Sequence, residues 1–297
     1  MTEYGLIGYP LGHSFSRAFF NNKFASEGID AEYLNFEIPS AEMLLQVIEN
    51  HPSLRGLNVT LPYKQAVIPY LDELSDEARA IGAVNVIRVS RRTDDDSLFK
   101  GAGALTAEGA NQGLETAKGR TRDGLYLKGF NSDIIGFMES IRPLLQSHHK
   151  KALVLGTGGA SKAICHGLEQ LGIEWRYVSR SRQSAQSSSP LPQQGDHSVI
   201  SSQNPPFTYS DITPSLLADY TVIVNCTPLG MSPNIDSAPA LPYAALSPRH
   251  LLYDLVYNPE VTQFMREGRR FGATVKSGLE MLHRQAIASW EFWNGKD

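Results

Sequence analysis

The sequence predicts an α/β protein of two domains. Short apolar runs alternate with segments whose apolar residues recur at helical spacing. A strand, a glycine cluster and a helix begin a second such series at Lys151. The length of 297 residues suits two domains of roughly 150 residues each.

Residues 3–8 read as the first strand, closed by Gly8-Tyr9-Pro10. Phe15, Phe19, Phe20 and Phe24 then recur near helical spacing through 16–27. Residues 33–36 form a second strand, and Ser40 stands where it would cap a helix carrying Met43, Leu44, Val47 and Ile48. Residues 56–60 are a third strand, stopped by Pro62, and 83–89, with β-branched residues two apart, a fourth. From Ser90 to Lys128 the pattern dissolves into Arg91-Arg92-Thr93-Asp94-Asp95-Asp96 and a Gly/Ala/Thr-rich stretch, so 91–125 reads as a surface insertion. A strand over 125–129 and a helix from 133 to about 145 restore order.

In the second series, Ala152-Leu153-Val154-Leu155 is a strand, followed by a helix to Leu171 and a strand over 175–179. Residues 183–206, rich in Ser, Gln and Pro, read as a loop. Val222-Ile223-Val224 and Leu251-Leu252-Tyr253 are buried strands, and helices over 259–270 and 278–293 close the chain. Trp290, Phe292 and Trp293 are expected to pack the last helix.

Composition excludes several function classes. Hydrophobic residues at 41% and charged residues at 20% describe a globular chain. With 27 Lys and Arg against 31 Asp and Glu, the net charge of −4 argues against a nucleic-acid or membrane-surface partner bound by basic charge. Cys165 and Cys226 read as core thiols, and His13 as a structural turn residue. His148-His149 lie in a polar linker without carboxylate or cysteine at ligand spacing, so no metal site is expected. No leader of basic then apolar residues and no apolar run of about 18 residues is visible. The expectation is a cytoplasmic, two-domain globular protein.

Leu153-Val154-Leu155-Gly156-Thr157-Gly158-Gly159-Ala160-Ser161 is strand, glycine turn and helix start. Glycines let the backbone turn tightly and approach a pyrophosphate, which the amide hydrogens and dipole of the helix start attract. A second strand ends about 20 residues on, as a dinucleotide-binding fingerprint requires, although Ser161 takes the place of the last glycine. That strand closes on Ser179-Arg180-Ser181-Arg182, where NAD-binding chains place a carboxylate for the ribose hydroxyl. A guanidinium matches a 2′-phosphate instead, which favours NADP.

Gly56-Leu57-Asn58-Val59-Thr60-Leu61-Pro62-Tyr63-Lys64 sets polar groups at a strand end, where open sheets bind ligands. Gly129-Phe130-Asn131-Ser132-Asp133 is a similar polar terminus, and Asp133 also suits the first turn of a helix. Together with Gly8-Tyr9-Pro10-Leu11-Gly12-His13-Ser14-Phe15-Ser16, Gly82-Ala83-Val84-Asn85, Asn225-Cys226-Thr227-Pro228-Leu229-Gly230-Met231, Tyr253-Asp254-Leu255-Val256-Tyr257 and Gly278-Leu279-Glu280-Met281-Leu282, these segments resemble the shikimate dehydrogenase family. The resemblance covers nearly the whole chain outside the insertion and the 183–206 loop.

The resemblance implies an α/β substrate domain over 1–132, completed by 277–297, and a Rossmann-type NADP-binding domain over 133–276, the C-terminal helix returning to the first domain. It implies reversible, NADP-linked reduction of 3-dehydroshikimate to shikimate. Lys64 and Asp133 would be the catalytic pair. Ser14, Ser16, Thr60 and Tyr257 would hold the substrate carboxylate, and Asn85 and Gln285 the ring hydroxyls. The cofactor would lie on Gly156, Thr157, Gly158, Gly159, Ala160 and Ser161, with Ser179, Arg180 and Ser181 at its 2′-phosphate and Thr227, Leu229, Met231, Gly278 and Met281 completing its site. Arg17 stands where the family commonly has proline, Ser132 where it has threonine, and Phe130 where an acidic residue is frequent. The chemistry suits these residue types, because a ketone accepting hydride builds negative charge that a lysine ammonium can protonate. Two rivals share the motifs: a quinate/shikimate dehydrogenase with broader substrate or cofactor use, and an NADP-binding sensor without turnover.

Overall fold

The computed structural model describes residues 1–12, 15–91, 124–181 and 205–297. They form two compact units, Met1–Ser132 with Ala288–Asp297, and Asp133–Ile287. The expected insertion and the serine-rich loop fall largely outside the described residues, as do His13 and Ser14.

The first unit holds β1 (Thr2–Gly8), α1 (Phe15–Glu27), β2 (Ala31–Glu37), α2 (Leu44–Asn50), β3 (Leu54–Val59), β4 (Glu73–Leu74), α3 (Asp76–Ile81), β5 (Val86–Arg91) and β6 (Leu125–Phe130). Its strands order β2-β1-β3-β5-β6-β4. β1 pairs parallel with β2 and β3, but β5 runs antiparallel to β3 and β6, so the parallel strand–helix–strand pattern stops after β3. Side chains alternate between the two faces. Ile7, Leu57, Ile87 and Leu127 face one apolar cluster with Leu44 and Ile48 of α2. The opposite face is aromatic: Tyr33 stacks on Phe20 at 4.9 Å and Tyr4 on Trp293 at 4.8 Å. Gly56 makes room for the Trp293 indole, which a β-carbon there would strike. Phe292 stacks on Phe130 at 4.4 Å, so the terminal aromatic residues pack as expected.

The second unit holds α4 (Asp133–Ile141), β7 (Lys151–Leu155), α5 (Gly159–Gln170), β8 (Glu174–Ser179), β9 (Phe207–Thr208), α6 (Pro214–Asp219), β10 (Val222–Asn225), β11 (Leu251–Asp254), α7 (Gln263–Arg270), β12 (Thr274–Ser277) and α8 (Leu279–Trp293), whose last turns belong to the first unit. Its strands pair in parallel throughout, in the order β12-β11-β10-β7-β8-β9. Counted from β7 this is 3-2-1-4-5-6, with the reversal of direction between β7 and β10. Ala152, Val154, Val222 and Val224 face one core cluster, Leu153, Leu155 and Ile223 another. Burial on both faces is why these strands read as unbroken apolar runs.

Three expectations need correction, and two short strands left no sign in the sequence. The helix from 133 stops at Ile141, where Pro143 forces a 3-10 turn over Arg142–Leu144. The helix expected from 259 starts at Gln263, because the Thr262 hydroxyl caps it by accepting from Met265 N at 3.3 Å. β4 and β9, two residues each, are too short to leave a pattern. His149 lies in the expected linker but is buried there, its Nδ1 accepting from Gln146 N at 2.9 Å and its Nε2 donating to Arg249 O at 3.1 Å.

Candidate active site

Strand direction decides which residues of the first unit meet. β1, β3 and β6 end at one edge of the mixed sheet, and β5, being antiparallel to its neighbours, starts there. That edge therefore collects the chain after Gly8, the turn from Thr60 to Lys64, Asn85 and Asn131-Ser132. Backbone bonds lace them together: Thr60 N to Ile7 O at 2.9 Å, Val59 N to Asn85 O at 2.8 Å and Val84 N to Lys64 O at 2.7 Å. Tyr63, buried, hooks the turn by donating to Ile38 O at 2.6 Å, which fixes where half-buried Lys64 leaves the backbone.

A hydrogen-bonded chain runs beneath this edge. Ser16 bonds the buried Tyr33 phenol, whose pKa is raised well above the usual range by burial. Tyr33 donates to Asn58 Oδ1 at 2.8 Å, and Asn58 Nδ2 donates to Ser289 Oγ at 2.9 Å. Ser289 lies 3.2 Å from Ser132 Oγ, which accepts from Asn85 Nδ2 at 3.0 Å. Asn85 Oδ1 in turn accepts from Ser132 N at 2.7 Å. Ser16 and Asn85 thus share one scaffold, with Thr60 and Lys64 on the same edge.

In the second unit Asp133 opens α4, 3% exposed. One turn on, Gly136 packs so closely on α8 that a β-carbon would lie 2.6 Å from Met281 O and 3.2 Å from Gln285 Cβ. Gln285 therefore faces the side of α4 that carries Asp133. The Met281 side chain itself is buried in the apolar cluster with Phe137 and Ile141.

The carboxyl ends of β7 and β10 flank the reversal of strand order, where α/β sheets bind ligands. Gly156 turns the chain there at φ 95°, a conformation suited to glycine, and a β-carbon would meet Thr227 Cγ2 at 2.9 Å. Gly158 caps α5 without a side chain, and β-carbons on Gly158 or Gly159 would meet nothing within 4 Å. Gly159 and Ala160 start α5, and a helix start with so little side chain around it, following Thr157, fits a pyrophosphate. Ser161 holds the turn by donating to Gly158 O at 2.7 Å. Ser179 closes β8 with its hydroxyl on Ser181 O, which leaves Arg180 exposed at the strand end. Its charge reaches Tyr209, whose pKa burial raises and Arg180 pulls back. Ser179-Arg180-Ser181 closes the strand with a guanidinium and no carboxylate of its own, which fits a 2′-phosphate.

After β10, Thr227 donates to Asn225 Oδ1 from its backbone N at 3.1 Å and from its hydroxyl at 2.6 Å. Leu229 N donates to Thr227 Oγ1 at 3.3 Å, and the loop brings Met231 to the surface. Tyr257 follows β11, 38% exposed, and Gly278 follows β12, its N donating to Val256 O at 3.3 Å. Among the described residues no group of three or more His, Cys, Asp or Glu is placed to hold a metal.

Residues 6–87 match the profile of the shikimate dehydrogenase substrate binding domain. Across 98% of its length the chain is 34% identical to the shikimate dehydrogenase (NADP(+)) of Methanosphaera stadtmanae, covering 91% of that protein. The chain belongs to the shikimate dehydrogenase family. Two solved structures of shikimate dehydrogenases share its fold. That of Thermus thermophilus, in complex with NADP(H) and shikimate, has a TM-score of 0.73 at 27% identity, covering 99% of this chain and 94% of that one. That of Listeria monocytogenes, in complex with shikimate and NAD, has a TM-score of 0.73 at 25% identity, covering 100% of this chain and 92% of that one.

The shikimate dehydrogenase motifs are divided between the units. Ser16, Thr60, Lys64 and Asn85 lie in the first; Asp133, Tyr257, Gln285 and all the nucleotide candidates lie in the second. Sequence reasoning noted Asn58 as a polar group at a strand end and quoted Asn225 and Asp254 within motifs, but gave none of them a supporting role, and it missed Tyr33, Ser289 and Thr262. One signal was available. Asn225 and Asp254 each end an otherwise apolar strand, and a polar side chain there needs a partner.

Proposed function

We propose that this chain catalyses the reversible reduction of 3-dehydroshikimate to shikimate with NADP. The single observation that carries this reading is the gathering of Ser16, Thr60, Lys64 and Asn85 at one strand edge in a chain 34% identical over nearly its full length to an NADP-linked shikimate dehydrogenase. Bound NADP supplies or takes the hydride. Gly156 to Ser161 hold its pyrophosphate, Arg180 with Ser179 and Ser181 its 2′-phosphate, and Thr227, Leu229, Met231 and Gly278 its other end. Met281 belongs to the same end of the site, its side chain packed in the core.

The chain's own residues handle the acid and the proton. Ser16 and Thr60, with Ser14 and Tyr257, bind the substrate carboxylate through neutral donors, while Asn85 and Gln285 bind ring hydroxyls. The Lys64 ammonium donates a proton to the ketone oxygen as hydride arrives at its carbon, that proton stays on the new hydroxyl, and Lys64 regains one from solvent with Asp133 sharing the transfer. In oxidation the steps reverse. Domain boundaries at 132 and 277, a cytoplasmic setting, a monomer or homodimer and the lack of a nucleic-acid partner complete the proposal; among the described residues no helix is long and apolar enough to cross a membrane.

The test is NADP⁺ reduction followed by absorbance, with shikimate and quinate each offered alongside NADP⁺ and NAD⁺. Turnover is expected with shikimate and NADP⁺. Faster turnover of quinate or with NAD⁺ points to the broader dehydrogenase, and binding of NADP⁺ without any turnover points to a sensor.

A further inference from the structure

A buried carboxylate that the mechanism above does not use sits at the carboxyl edge of the parallel sheet. Asp254 ends β11 directly opposite Asn225, the last residue of β10, and both are fully buried. Asp254 Oδ1 accepts from Asn225 Nδ2 at 2.9 Å and from Val256 N at 3.0 Å. Its Oδ2 accepts from the hydroxyl of Thr262, also fully buried, at 2.6 Å. Burial pushes Asp254 up to about 6 against the pull of these hydrogen bonds. Among the described residues its partners are thus an amide, a hydroxyl and a backbone N–H, not a cation. Burying a carboxylate in this way is costly and calls for a geometric return.

That return is a direction. A carboxylate only accepts, so it compels Asn225 to present its NH₂ and Thr262 its hydrogen. The Asn225 oxygen is then left for Thr227, which donates to it twice and so offers its own oxygen to Leu229 N at 3.3 Å. On the other side Thr262, its hydrogen spent on Asp254, turns its lone pair to Met265 N and caps α7. Reversing the Asn225 amide would set two donors against each other at Thr227 and two acceptors at Asp254. We propose that Asp254 is a positioning residue: acting through Asn225, it fixes the loop from Thr227 to Met231, and through Val256 N the segment leading to Tyr257, at the hydride-carrying end of the nucleotide. The proposal rests on the dehydrogenase reading above.

The experiment compares wild type with Asp254→Asn, Thr262→Val and Thr262→Ser in the full chain. It measures kcat with shikimate, Kd for NADP⁺, and Kd for 2′,5′-ADP, which occupies only the half of the site at the glycine turn and Arg180. Misplacing reacting groups by about 1 Å costs on the order of 100-fold, so Asp254→Asn is expected to lower kcat about 10- to 100-fold and to weaken NADP⁺. Its Kd for 2′,5′-ADP is expected to stay within about twofold of wild type, a smaller change than the loss of one ordinary hydrogen bond produces. Thr262→Val should repeat the pattern more weakly and Thr262→Ser restore it, which keeps the test open should Asp254→Asn fail to fold. Unchanged kcat and NADP⁺ binding in a folded Asp254→Asn, or equal loss of both nucleotide affinities, overturns the proposal. Wild-type chain without turnover on shikimate defeats the dehydrogenase reading instead, and the difference between NADP⁺ and 2′,5′-ADP binding still judges Asp254.

Discussion

The two sheets present their ligand edges by different means. In the mixed sheet the edge is made of side chains, Ser16, Thr60, Lys64 and Asn85, which follow β1 and β3 or precede β5, the strand that runs against its neighbours. In the parallel sheet the edge is made largely of backbone, the glycine turn after β7 and the loop after β10, on either side of the strand-order reversal. A parallel sheet announces where it binds by topology alone, whereas a mixed sheet does so only through the residues it assembles. Substitutions at the edge of the first sheet should therefore alter the chemistry or the acid, and those at the glycine turn and at Arg180 in the second the nucleotide.

The largest effect expected is at Lys64. Loss of a general acid costs about 10²- to 10⁴-fold, so Lys64→Ala should lose kcat on that scale with modest change in KM for shikimate or NADP⁺. Steady-state kinetics decide it, and unaltered turnover removes Lys64 from the mechanism. Arg180→Ala tests the other sheet. A charge-assisted bond contributes about 1.5–3 kcal/mol, so the KM for NADP⁺ should rise about 10- to 100-fold while that for NAD⁺ holds. Should both cofactors weaken together, Arg180 supports the strand end rather than the 2′-phosphate. A smaller effect belongs to Ser16. A neutral hydrogen bond is worth about 0.5–1.5 kcal/mol, so Ser16→Ala should raise the KM for shikimate about 3- to 10-fold and leave NADP⁺ alone. An unaltered KM would take Ser16 out of the carboxylate seat.

The same contrast explains what could be read from the sequence. The strands of the parallel sheet were legible because burial on both faces makes Leu153 to Leu155, Val222 to Val224 and Leu251 to Tyr253 apolar without interruption. The glycine turn and Arg180 were legible because their function lies in local backbone and one charge. The antiparallel course of β5 was not, since alternation along Val86 to Arg91 carries no sign of direction. Nor was the bond between Asn225 and Asp254, which depends on a register set by two strands 29 residues apart. Lys64 and Asp133 stood out only as parts of a family pattern; alone, each is an ordinary solvated lysine or helix-start carboxylate.

The smallest effect expected contrasts the two edges of the parallel sheet itself. At the amino edge His149 accepts from Gln146 N through Nδ1 and donates to Arg249 O through Nε2, an arrangement open only to the neutral ring. Its pKa is lowered by burial, with the Arg249 carbonyl pulling the other way and the charges of His148 and His250 adding to the fall. A histidine with a depressed folded pKa contributes stability that is present above the unfolded value of 6.5 and is lost as pH falls through the folded value, because the unfolded chain binds the extra proton. At the carboxyl edge Asp254, raised from 3.8 to about 6, acts in the opposite sense: its contribution is full below 3.8 and is lost as pH rises through about 6. The two partly cancel in mildly acidic solution. Denaturant unfolding at a series of pH values should therefore show His149→Gln losing less stability than wild type on acidification from neutrality. Asp254→Asn should show the reverse, losing more over the same interval, since it lacks the group that gains as protons bind. Parallel curves for all three proteins would mean that neither edge is linked to pH and that the buried hydrogen bonds at both ends of the sheet are indifferent to charge.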